Sequence, residues 1–140
     1  MRWLKRVIAI TLVLILMPTG LLFIYVKAAE FYTEQFYAGR PILARMSEVW
    51  PRRFQKDPVA VREAFLREVP LGTGKQSLVN QLLPEGFSCV PNSIRGEGWT
   101  QCMLGAPSRG FGYTNWILDF QFDAENRLTD VRIVIQPIFL

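Results

Sequence analysis

Residues 7–26 read VIAITLVLILMPTGLLFIYV, twenty positions without a charged side chain. About 20 apolar residues in helical form cross a hydrocarbon core of about 30 Å. Lipid offers no partner to a peptide group, so such a run must close its hydrogen bonds within itself. A transmembrane helix is therefore expected over 7–26, with Pro18 and Gly20 tolerated as bends. Arg2, Lys5 and Arg6 precede the run, and no acid occurs before residue 27. This basic flank predicts that residues 1–6 stay in the cytoplasm and the remainder is exported. Lys27, Arg40 and Arg45 on the far side weaken the asymmetry. A cleaved signal peptide is the alternative. Val26-Lys27-Ala28 offers small residues before Ala29, although a signal h-region usually holds only about 7–15 residues.

The chain's net charge is +4, which invites a nucleic-acid reading. Three of the 16 Lys and Arg residues precede the apolar run, leaving 13 against 12 acids from residue 27 onward. That near-neutral remainder lacks the basic footprint phosphate binding requires. No nucleic-acid partner is expected.

Cys89 and Cys102 are the only cysteines. In an exported domain the compartment is oxidising, and a pair reads as a disulfide; two buried thiols are the alternative. With no histidine in the chain, two cysteines make no ordinary zinc site. The same absence removes Ser-His-Asp and Cys-His nucleophile systems. No cofactor and no catalytic residue is expected. Asp119, Asp123, Glu125 and Asp130 cluster around one hairpin. Asp119 and Asp130 are the pair that could form a carboxylate dyad or a cation site; a solvated sheet face is the simpler account.

The segment VPLGTGKQSL, residues 69–78, resembles a phosphate loop at first sight. The required pattern is G-x-x-x-x-G-K-[ST] between a strand and a helix. Aligned on Gly74-Lys75, Val69 stands where the first glycine belongs and Gln76 where the Ser/Thr belongs. No nucleotide partner is expected. Thr73 instead reads as a helix N-cap, with Gln76 completing a capping box over a helix at 73–84. Leu78, Val79, Leu82 and Leu83 form its apolar face.

The remaining pattern is organised around proline, glycine and alternation. Phe31, Tyr32, Phe36 and Tyr37 recur at helical spacing until Gly39 and Pro41, and read as interfacial anchors or as a partner-docking face. Ile42 to Trp50 predicts a short helix. Asp57-Pro58 starts another, through its N-cap and N1 preferences, with Val61, Phe65 and Val69 on its inner face. Residues 87–90, 99–104, 116–122 and 128–136 predict strands. Trp116, Leu118, Phe120 and Phe122 face inward; Asn115, Ile117, Asp119 and Gln121 face outward. Residues 105–113 read as a long glycine-rich connection, where Arg109, Phe111 and Tyr113 are candidate partner contacts. The expected class is α+β: an N-terminal transmembrane helix, then short helices on an antiparallel meander of three to four strands. The expected divisions are 1–6 cytoplasmic, 7–26 transmembrane, 27–57 juxtamembrane and linker, and 58–140 periplasmic.

Leu71-Gly72-Thr73, Leu78-Val79, Leu82-Leu83, Gly86 and the strand ending FQFDAENRLTDVRI, residues 120–133, together resemble the small α+β domain of the SmpA/OmlA outer-membrane assembly lipoproteins. They resemble equally the related fold of β-lactamase-inhibitor proteins. The likeness spans roughly residues 71–135. No lipobox cysteine precedes Cys89, so an inner-membrane helix replaces the lipid anchor. The resemblance implies a binding module rather than an enzyme. The expected function is a single-pass bacterial inner-membrane protein with a periplasmic interaction domain, an accessory subunit or assembly factor of an envelope complex. Its partners would be the bilayer and a protein. An immunity or inhibitor protein acting on a toxin or hydrolase at the membrane is the alternative.

Overall fold

A computed structural model of the chain describes residues 2–50, 58–92, 95–96, 98–108 and 112–138. Four helices precede four strands: α1 Arg2–Ala38, α2 Pro41–Val49, α3 Pro58–Glu68, α4 Lys75–Leu82, then β1 Ser88–Pro91, β2 Trp99–Pro107, β3 Tyr113–Phe122 and β4 Leu128–Ile138. The strands form one antiparallel sheet in the order β1-β2-β3-β4. The fold is α+β, as expected.

The chain divides into two compact units, Met1–Glu34 and Gln35–Leu140. The first is helical throughout its described length. Among the described residues no helix is long and apolar enough to cross a membrane. The transmembrane helix expected over 7–26 is thus not demonstrated by them. The backbone of that run lies in α1, whereas the side chains of 7–10 and 12–16 fall outside the described residues.

The second unit begins earlier than the expected boundary at residue 58. Tyr37, Ile42, Leu43 and Met46 are buried and share one core with Val61, Phe65, Leu78, Leu82 and the inner face of the sheet. These four residues of the expected juxtamembrane segment thus serve the core. The aromatic spacing did not separate these uses, because a helix facing lipid and one facing a core have the same period.

A single carboxylate holds α2 in place. Pro41 at the first helical position suits its fixed φ, but the preceding Arg40 supplies no side-chain cap. Instead Glu85, from the turn after α4, accepts hydrogen bonds from Ile42 N and Leu43 N, each at 2.8 Å, on its two carboxylate oxygens. Arg40 reinforces the corner by donating to Glu85 O at 2.8 Å and stacking 3.8 Å from the Phe36 ring. Gly86 adopts φ 92°, the left-handed region that lets the chain leave α4. Glu85→Ala is expected to cost about 2–3 kcal/mol, because it strands two buried N–H groups and removes a negative charge from a helix N-terminus. Glu85→Gln should cost less, as its carbonyl still accepts one bond. Urea unfolding of both variants checks the order; equal stability with the parent would refute the capping role.

The sheet's inner face is as expected, with Trp116, Leu118, Phe120 and Phe122 buried beside Val131 and Ile133. The strands are longer than expected: β2 continues to Pro107 and β3 starts at Tyr113. Residues 105–107 and 113 of the glycine-rich connection are therefore ladder, and Ser108 N donates to Gly112 O at 3.0 Å. The β3–β4 turn is the expected one. The Asp123 carboxylate accepts from Glu125 N and Arg127 N, and Asn126 takes φ 58°.

Candidate functional site

The phosphate-loop resemblance fails on backbone accounting. Gly72 N donates to Leu128 O, Thr73 N to Pro70 O and Lys75 N to Asn126 O. Three of the amides that would cradle a phosphate, those of Gly72, Thr73 and Lys75, are already bonded to carbonyls. The expected capping box is also absent. Gly74 is the N-cap of α4, with no side-chain cap bond. Thr73 Oγ1 donates to Pro70 O, and Gln76 bonds Asn80. The hairpin has taken over the capping: Asn126 O receives the first N–H of α4, and Thr73 O accepts Leu128 N. A long-range pairing thus displaced a local motif.

The carboxylates do not form a dyad. Asp119 is only 2% exposed, contrary to the expected solvated face. Its Oδ1 accepts from Gln101 Nε2 at 2.7 Å and Asn92 Nδ2 at 3.2 Å, and Arg95 Nε lies 2.9 Å from Oδ2. Arg95 comes from the β1–β2 loop and also stands over the Trp99 ring at 5.3 Å. Asp119 therefore ties that loop to the outer face of the sheet. Asp130 pairs instead with Arg62 of α3 at 2.8 Å. In the ladder Asp119 faces Arg132 and Asp130 faces Gln121. Each acid has its own cation, the arrangement of a structural tie. Among the described residues no group of three or more His, Cys, Asp or Glu gathers to hold a metal.

The candidate partner contacts are scattered. Phe31 and Tyr32 are exposed in the first unit. Tyr37 is buried, with its hydroxyl donating to Pro107 O at 3.1 Å, and Phe36 packs against the core. These two are spent on the fold. Tyr113 is exposed at the start of β3. Arg109 and Phe111 lie outside the described residues.

Among the described residues, one feature with the form of a binding site is an open groove of about 560 Å³ beside β4, an edge strand of the sheet. Trp50, Pro58, Val59 and Arg62 line one side, and Asp130 through Ile135 the other. Val59 is exposed although it belongs to α3. Arg132 is exposed and makes no hydrogen bond or ion pair with any described residue. Sequence reasoning did not single out this groove. Pro137 within the last strand was the available signal, because proline in a sheet marks an edge. Trp50 and Val59 could not be assigned to it, since only folding brings them beside residues 130–135.

No family model, curated protein or solved structure matches this chain.

Proposed function

We propose that the chain is a single-pass inner-membrane protein whose exported unit is a protein-interaction module, serving an envelope complex as accessory subunit or assembly factor. The observation that carries the interaction reading is the open groove along the β4 edge, lined largely by apolar surface, with Arg132 beside it and no ion-pair partner for it among the described residues. Grooves beside sheet edges suit peptide and protein contacts. Asp119 and Asp130, the acids that could have done chemistry, are instead engaged by Arg95 and Arg62. Membrane attachment rests on the uncharged run at 7–26 and its basic flank. The Cys89–Cys102 disulfide supports export to an oxidising compartment.

The test is affinity purification of the full-length protein from mild detergent, with mass spectrometry of bait and companions. An intact N-terminus with a stoichiometric membrane-complex partner is expected. A bait beginning at Ala29 and running alone would overturn the anchored-subunit reading and favour a secreted inhibitor.

A further inference from the structure

Among the described residues, the outer edge of β4 is engaged at Leu128 and Val131 and carries Pro137 near its end, which leaves one short window between. At the start, Leu128 exchanges hydrogen bonds with the 72–73 segment: Gly72 N donates to Leu128 O and Leu128 N to Thr73 O, both within 2.9 Å. Next, Val131 O accepts from Arg62 Nε at 3.0 Å, and Val131 N donates to Asp130 Oδ1 at 2.8 Å. Backbone groups of an antiparallel strand alternate between its two sides. Since Val131 presents its N–H and C=O outward, Ile133, Ile135 and Pro137 do the same. Pro137 has no N–H, which suits an outward position. Ile133 and Ile135 are left, and their outward N–H and C=O groups meet no described residue.

An unpaired edge is a template for another strand, and natural sheets normally block it. Here the blocks stand on both sides of the window and leave the part facing the groove without a described strand partner. The surroundings specify the occupant. On the helix-covered side of the sheet are Trp50 and Val59, both apolar. On the other side are Val134 and Arg132, the latter without a partner among the described residues. Arg62 is spent on Asp130, so among the described lining residues Arg132 is the charge without an ion-pair partner. A strand laid along β4 would turn alternate side chains to these two sides.

We propose that Ile133–Ile135 receives an extended segment of a partner protein by strand addition. That segment alternates apolar residues, set against Trp50 and Val59, with an acidic residue set against Arg132. The proposal rests on the interaction-module reading and names its site and the chemistry of its partner. Main-chain bonds to Ile133 and Ile135 supply affinity, and the side-chain alternation supplies selectivity.

The test uses the full chain in detergent micelles and a fluorescent pentapeptide, acetyl-Val-Glu-Val-Glu-Val-amide, read by anisotropy. Binding is expected with slowed amide exchange at Ile133 and Ile135. Methylating the peptide's ladder-facing nitrogens should weaken it by about tenfold or more, as main-chain bonds worth about 1 kcal/mol each are lost. Arg132→Glu should weaken it roughly fivefold, as expected for a partly exposed charge pair, and should favour the peptide with Lys in place of Glu. Ile135→Pro, a substitution the strand already tolerates in kind at Pro137, should abolish the exchange protection. Equal binding by the methylated peptide or by Ile135→Pro would overturn the proposal, as would no binding at millimolar peptide. Concentration-dependent dimerisation that Ile135→Pro removes, without peptide binding, would overturn it in favour of a second copy. If a partner co-purifies equally with the parent and with Ile135→Pro, the interaction module stands and the edge proposal falls. If no partner co-purifies with the parent, the broader reading falls.

Discussion

Phe120→Ala is expected to destabilise the second unit by about 3–5 kcal/mol. Phe120 is fully buried on the inner face of β3. Its ring centroid lies 5.5 Å from that of Phe65 on α3 and 6.5 Å from that of Phe122. Removing it opens a cavity where sheet and helix meet, and neither neighbour can fill the space without leaving its own contacts. A domain's whole stability is about 5–15 kcal/mol, so the variant should stand close to unfolding at room temperature. Gln121→Ala, the next residue on the exposed face, should change stability by no more than about 0.5 kcal/mol. Urea unfolding of the full chain, followed by tryptophan fluorescence, measures both. A Phe120→Ala loss below that of Gln121→Ala would contradict the packing described. A double-mutant cycle with Phe65→Ala should show coupling of about 0.5–1.5 kcal/mol, the range for contacting aromatic pairs.

The second large effect concerns the disulfide. Cys89 and Cys102 face each other directly across β1 and β2, with Cα atoms 4.0 Å apart and a sequence separation of 13. Opening a loop of about this length should cost about 3 kcal/mol through the greater freedom of the unfolded chain. β1 should feel the loss most. It has four residues, pairs on one side only and buries little side-chain surface. Cys89→Ala/Cys102→Ala should therefore lower the urea midpoint, and amide exchange over 88–91 should quicken more than over β3. A midpoint unchanged by dithiothreitol, with the bond shown to be open, would mean that the ladder alone holds β1.

Much of this architecture was legible in the residues. Trp116, Leu118, Phe120 and Phe122 alternate with polar neighbours, and a period of two permits only one inward face. Asp123 to Asn126 carry turn chemistry that acts within five residues, so the β3–β4 hairpin followed from local preference. Pro41, Pro58 and Gly86 marked helix limits for the same reason. The errors share a cause. Thr73 and Gln76 satisfy a capping motif in isolation, yet Asn126 O and the Leu128 backbone reach the same segment and displace it. Asp119 looks solvent-facing by alternation, yet the β1–β2 loop returns over it with Asn92 and Arg95. Phe36 and Tyr37 have the spacing of an interfacial belt and are used as core.

By itself the sequence determined the uncharged run at 7–26 with its basic flank, the pairing available to its two cysteines, the α+β class and the inward face of each long strand. These rest on composition, on redox chemistry and on periodicities that repeat every two to four residues. Only the tertiary structure decided that Glu85 would cap α2, that α2 would belong to the core, and that β4 would present its Ile133–Ile135 edge to a groove beside Trp50 and Val59. The cap and the groove join residues more than 40 positions apart, and α2 packs against α3 from beyond the intervening connection. A local preference acts within one turn of chain, whereas a cap, a core or an edge depends on which distant segment arrives beside it.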